Sequence, residues 1–183
     1  MAKYKSIILS GLPASGKSTL AAMTQEGMPG WERHSVGGLW RARWKEEHPN
    51  GEVKFKDYWA SQTTEANLEV DKQAWALARA GGVIIDCRYP AGYDRESVLL
   101  VFVGASLEVR AGRAKQRPEY SQMPLDEILH LLARREDDEV KAGRELFKID
   151  YRDASHYHLV LDTDKMTVHE EFAAVKAVLR SSR

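Results

Sequence analysis

Ser6-Ile7-Ile8-Leu9-Ser10-Gly11-Leu12-Pro13-Ala14-Ser15-Gly16-Lys17-Ser18-Thr19-Leu20-Ala21-Ala22-Met23 is the stretch that decides the fold. Its first five residues form a short, β-branched apolar run, the pattern of a buried strand. Ser18 onward reads as the opening turns of a helix. Between the two, Gly11 to Ser18 fits G-x-x-x-x-G-K-[ST], the phosphate-binding loop. Such a loop cages a polyphosphate in backbone N–H groups, its lysine reaches the outer phosphates, and its hydroxyl holds Mg²⁺. A strand before it and a helix after it put the helix's positive end under the phosphates. Gly11, Ala14, Ser15, Gly16, Lys17, Ser18 and Thr19 are therefore the expected nucleotide-binding residues.

Outward from the loop, strand and helix patterns alternate. Trp31 to Ser35 is a weakly signalled second strand, and Gly37-Gly38 opens a helix through Lys45 that ends at Pro49-Asn50-Gly51. Phe55 to Gln62 reads as a short helix. Thr64 to Ala80 reads as a longer one, with Leu68, Trp75 and Leu77 among its apolar positions and Gly81-Gly82 as its stop. Val83-Ile84-Ile85-Asp86 and Val98 to Val103 read as buried strands. Leu107 to Arg117 is expected to be helical, Pro118 and Pro124 bracket a loop, and Leu125 to Phe147 forms a heavily charged helix. His158 to Leu161 gives the last strand and Val168 to Arg180 the last helix. This alternation predicts an α/β fold with a mainly parallel sheet, whose ligands sit at the carboxyl ends of the strands.

The 183 residues suit one compact domain. Lys and Arg total 27, as do Asp and Glu, so no general attraction to nucleic acid or to a membrane surface is expected. The single cysteine, Cys87, permits no intramolecular disulfide, which fits a reducing cytoplasmic compartment. Its plain reading is a small buried side chain. The start of the sequence lacks a secretory apolar region, and no stretch approaches membrane-spanning length.

Asp86 ends an apolar strand, where a metal-shell carboxylate of a nucleotide-hydrolysing or -transferring site belongs. Ser18 and Asp86 are the candidate metal residues. Arg88 follows two residues on and can face the same crevice. Arg110, Arg113 and Arg117 recur at spacings of three and four, on one helix face, ahead of the Pro-bracketed loop; Arg134, Arg135 and Arg144 lie beyond it. Two arginine-bearing helices around a short loop, about residues 113–135, have the form of a lid that closes cationic groups over a triphosphate. Arg134, Glu136 and Asp138 read instead as a solvated, ion-paired face. The six histidines show no metal-ligand spacing, and no nucleophile dyad stands out. An acceptor that is itself a phosphate is already anionic and needs no general base. Lys, Arg and Mg²⁺ without a base therefore suit phosphate-to-phosphate transfer. An acceptor hydroxyl would need a base, for which Asp86 is the candidate, and a non-catalytic ATP-binding module is the third reading. The base-reading Asn-Lys-x-Asp of guanine-specific switches is missing, with Thr163-Asp164-Lys165-Met166 only a faint echo, and so is the Leu-Ser-Gly-Gly of transport ATPases.

The chain resembles nucleoside monophosphate kinases, and among them the short, archaeal-type cytidylate kinases. The resemblance rests on the loop, on Ser35-Val36-Gly37-Gly38-Leu39-Trp40-Arg41, on Ile84-Ile85-Asp86-Cys87-Arg88, on Ser106 to Arg117, on Arg135-Glu136-Asp137-Asp138-Glu139, and on Ile149-Asp150-Tyr151 with Tyr157 to Thr163. It implies a three-layer P-loop fold with a mostly five-stranded parallel sheet, a helical acceptor-binding insertion over about 35–81 and the short lid. It also implies a monomer acting on ATP, Mg²⁺ and a nucleoside monophosphate, CMP or dCMP first. Ser35, Arg41 and Arg88 would hold the acceptor, Glu139 its ribose, and Asp86 the metal or its waters. Lys17 would hold ATP, while Arg113, Arg117 and Arg135 would act on the moving phosphoryl group with Arg88. The sequence departs from the family at Cys87, where a glycine is expected. Ala142 takes the place of the last lid arginine, with Lys141 and Arg144 beside it, and the bacterial base-contacting arginine has no counterpart near Ala76 and Ala78, although Arg79 is close. Trp40, Trp44, Tyr58 and Trp59 could stack on a base, but the i,i+4 pair Trp40 and Trp44 has the spacing of core.

Overall fold

A computed structural model describes residues 3–181, apart from the side chains of Lys56 and Ala60. Five strands, β1 (Ser6–Gly11), β2 (Glu32–Ser35), β3 (Val83–Asp86), β4 (Val98–Gly104) and β5 (Leu159–Asp162), form one sheet in the order β2-β3-β1-β4-β5, and every pairing is parallel. Seven α-helices connect and cover them: α1 (Lys17–Glu26), α2 (Val36–Glu47), α3 (Phe55–Ala60), α4 (Thr64–Ala80), α5 (Leu107–Lys115), α6 (Leu125–Phe147) and α7 (Val168–Ser181). The α/β class and parallel sheet agree with the sequence reading.

Strand alternation separates two cores. Ile7 and Leu9 of β1 face one way, with Leu20 of α1 and Val175 of α7; Ile8 faces the other, with Ala74 and Ala78 of α4 and Val140 of α6. α2, α3 and α4 carry a satellite cluster of Trp40, Tyr58 and Val70, on which Trp44, Val53 and Phe55 pack. Trp40 is buried, and Trp44 donates its indole N–H to the Val53 carbonyl at 2.8 Å, so this pair is core as its spacing indicates. Leu68, by contrast, is an exposed position of α4.

α5 and α6 pack through Ala111, Ala114, Ile128 and Leu132. Their connection is braced rather than loose. Residues 118–120 form a 3-10 turn, and Lys115 Nζ donates to the carbonyls of Ser121 and Met123 at 2.9 and 2.7 Å. No described helix is long and apolar enough to cross a membrane.

Candidate active site

The loop between β1 and α1 takes its shape from close approach to β4. Gly11 has φ +140°, and a Cβ there would lie 2.1 Å from the Val103 carbonyl oxygen, so no larger residue fits without moving β4. Ala14 (φ +61°) and Gly16 (φ +106°) are also left-handed. Among the described residues the N–H groups of Ala14, Gly16, Lys17 and Ser18 donate to no protein acceptor. They form a backbone nest at a helix N-terminus, the physical requirement for binding a polyphosphate. Lys17 Nζ bridges this loop, donating to the carbonyls of Gly11 and Leu12 at 2.8 and 2.7 Å. Burial lowers its pKa, opposed by the carboxylates of Asp86 and Glu139.

Ser18 Oγ donates to Asp86 Oδ2 at 2.6 Å. Beside them opens a cleft of about 350 Å³, lined also by Arg33, His34, Ser35 and Leu39. The parallel register sets Asp86 next to Leu9 of β1 and Ser35 of β2, so the carboxylate stands at the strand ends. A hydroxyl and a carboxylate are the hard oxygen donors that magnesium takes together with phosphate and water. No group of three or more His, Cys, Asp or Glu able to hold a metal occurs among the described residues.

The arginines divide into three groups. Arg88 and Arg135 meet at one carboxylate: their Nε atoms lie 3.2 and 2.9 Å from Glu139 Oε1. Glu139 is buried, its Oε2 also accepts from Tyr151 at 3.4 Å, and its backbone carbonyl accepts from Tyr89 at 2.8 Å. Burial opposes the Arg88 charge, but Glu139 carries its pKa above the ordinary value. Glu139 thus organises two guanidiniums with its carboxylate. Arg113 stands at the back of the loop, donating to the Ser15 carbonyl at 2.9 Å and to Thr163 Oγ1 and carbonyl at 2.7 and 2.8 Å. Three bonds tie it to the loop and to the end of the sheet. Arg110, on the same helix, is buried and paired with Glu136 at 2.7 Å, so the helix face it shares is structural. Arg117 and Arg41 stand apart. Arg117 is exposed and has no side-chain partner among the described residues. Arg41 is exposed, donates to the Gly37 carbonyl at 3.2 Å and lies 5.1 Å from the Phe55 ring centroid.

Ser35, expected to touch the acceptor, caps α2 by accepting from Gly38 N–H at 2.8 Å. Cys87 is buried, and Ala142 packs against the core, so neither family departure leaves a polar gap. Arg144 does not replace the missing lid arginine, since it pairs with Asp150 at 2.9 Å. The sequence reading missed Thr163, whose hydroxyl bonds the Ser15 carbonyl at 3.0 Å, and Asp71. Asp71 is half-buried on α4 near Arg88, and burial pushes its carboxyl up to about 6. The signal for Asp71 was available: it lies three residues before Ala74 and seven before Ala78, a carboxylate in register with the buried face of its helix.

Such a loop, with a serine–aspartate pair and converging arginines at the ends of a parallel sheet, defines the P-loop kinases of nucleotides and small molecules. Solved structures agree on the fold. A shikimate kinase from Bacteroides thetaiotaomicron superposes with a TM-score of 0.61 at 16% identity, covering 96% of this chain and 98% of that one. A gluconokinase from Sinorhizobium meliloti gives 0.61 at 15%, covering 99% and 97%. Within that class the chain belongs to the cytidylate kinase-like family, whose profile it matches over residues 7–165. It is 30% identical to the cytidylate kinase of Methanocaldococcus jannaschii over 94% of this chain and 96% of that one. It is 32% identical to the cytidylate kinase of Pyrococcus horikoshii, over 98% and 91%.

Proposed function

We propose that the chain transfers the γ-phosphoryl group of ATP to a nucleoside monophosphate, CMP or dCMP before others, giving ADP and the diphosphate. The observation that carries this reading is the convergence of Arg88 and Arg135 on Glu139, close enough to Lys17 for its ammonium to feel both Arg135 and Glu139. Positive charge is thereby presented from two elements to one point at the strand ends, where an anionic donor and an anionic acceptor must be brought together.

In this mechanism the Ala14–Ser18 amides grip the β-phosphate and Lys17 leaves its loop carbonyls for the γ-phosphate. Ser18 and Asp86, directly or through water, would hold Mg²⁺, which would supply charge neutralisation at the triphosphate oxygens. Arg88 orients the acceptor phosphate for in-line attack, and Arg135 spreads charge off the group in flight. Arg113 keeps the Ser15 peptide, and so the nest, in register. No base is required, because the acceptor oxygen is already anionic; Asp86, engaged by the Ser18 hydroxyl, is poorly placed to serve as one. The relatives named cytidylate kinase support the choice of acceptor. The single, buried Cys87 is compatible with a reducing compartment.

A coupled assay with ATP and Mg²⁺ against CMP, dCMP, UMP, AMP and GMP tests the reading. Turnover with CMP or dCMP is expected to lead. Turnover with none of the five, while ATP still binds, overturns it in favour of a binding module.

A further inference from the structure

Glu136 and Glu139 stand one turn apart on α6, and each carboxylate gathers two arginines. Glu139 holds Arg88 and Arg135, the pair assigned to the acceptor phosphate and the moving phosphoryl group. Glu136 holds Arg110 through Oε2 at 2.7 Å and Arg152 through Oε1 at 3.1 Å. Phosphoryl transfer makes no direct use of this second cluster. Arg110 is buried, and it also donates to the Ala105 carbonyl at 3.1 Å and to the Pro13 carbonyl at 3.5 Å. Pro13 belongs to the phosphate loop. Together with Arg113 on the Ser15 carbonyl, α5 thus holds the loop at two carbonyls from behind. Direct polar contacts therefore lead from the loop, through a buried guanidinium, to the residue next to Arg135. The segment after α6 fixes the same turn from its other side. Arg152 is shared between Glu136 and Asp150, and Tyr151 between them donates to Glu139 Oε2 at 3.4 Å.

We propose that Glu136 is a positioning residue for phosphoryl transfer: through Arg110 it sets the register of α6 against the phosphate loop, and so the distance from a loop-bound donor to the guanidinium of Arg135. This inference rests on the monophosphate-kinase reading and adds the part that keeps Arg135 in range. Stability alone does not require the pair, because the desolvation of a buried ion pair offsets most of its attraction and apolar side chains of similar volume often serve as well. A guanidinium bonded to a carboxylate fixes both distance and angle, which apolar packing does less sharply. Transfer is sensitive to such distances, since a displacement of about 1 Å can cost about a hundredfold in rate.

The test is an Arg110→Met/Glu136→Leu double variant, which removes both charges together and leaves neither buried alone. Arg152 keeps its bonds to Asp150. We expect a melting temperature within about 3 °C of wild type and, by calorimetric titration, an ATP Kd within about threefold. At saturating ATP, Mg²⁺ and monophosphate, kcat falls by about tenfold or more. Placed in an Arg135→Ala background, the same double change moves kcat by less than about twofold, because the group through which Glu136 acts is already gone. Glu136→Asp keeps the charge and shortens its reach by a methylene; it is read by the same criteria if the double variant does not fold. A kcat that stays within about twofold of wild type, or that falls equally with and without Arg135, overturns the inference and leaves the kinase reading standing. So does an Arg135→Ala enzyme as fast as wild type. A wild type inert toward every monophosphate overturns both.

Discussion

Lys17 and Asp71 show what it costs to keep a charged group partly out of water. The Lys17 ammonium is desolvated and bonded to two carbonyls of its own loop, so it has the position but not yet the partner of a phosphate ligand. Lys17→Met is expected to lower turnover by about a hundredfold or more, as loss of a main electrostatic stabiliser does; near-wild-type rates in the coupled assay would falsify its role. Asp71 gives a thermodynamic prediction independent of any assay. Its folded-state pKa, about 6, lies above the ordinary 3.8, so the folded form resists ionisation. The penalty is absent when both states are protonated, grows as pH rises through the interval between the two values, and is complete above the folded value. Asp71→Asn should therefore stabilise the protein by about 1–3 kcal/mol at pH 8 and by almost nothing at pH 3, in denaturant melts at each pH. An equal gain at both pH values would show that burial of the charge is not the cause.

Among the elements, those with strong periodicity and clear punctuation were readable in advance. Thr64–Ala80 is preceded by a capping Thr63 and stopped by glycines, and Leu125–Phe147 follows Pro124; both helices occupy the spans read from sequence. β2 gave a weak signal because it is an edge strand, with Glu32 and Arg33 exposed. The loop and Asp86 were legible because a contiguous motif and a strand end encode them. The bonding of Arg113 to the loop and to Thr163 was not, because Thr163 lies 50 residues away. The bonds made by Ser35 to α2 and by Glu139 to Arg88 and Tyr151 could not be read in advance, since they depend on the folded chain. The insertion carries its own test. Its Trp40, Tyr58 and Val70 cluster joins the nearer sheet core through Val36 and Leu39, which pack against both. Trp40→Ala, a deletion that costs about 3–5 kcal/mol in a well-packed site, should loosen α2–α4. Calorimetric titration should then show weaker CMP binding and an ATP Kd within about twofold of wild type; parallel losses for both nucleotides would tie the cluster to the loop instead.

For the whole molecule, nucleotide binding and global stability are coupled through the loop, which touches β4 at Gly11 and the end of β5 through Ser15. Saturation with ATP and Mg²⁺ at about a hundred times Kd should add about 2.7 kcal/mol. For a chain of this size that is a rise in melting temperature of about 5–10 °C. A melt that does not move while titration shows binding would mean that the unfolded ensemble binds as well. The contact between Ser15 and Thr163 also has a meaning for biosynthesis. The carbonyl of Ser15 is made early and its partner hydroxyl 148 residues later. On the ribosome the loop must wait for β5 to be made before its geometry is locked, so a nascent chain that has not yet reached Thr163 cannot hold its cosubstrate firmly.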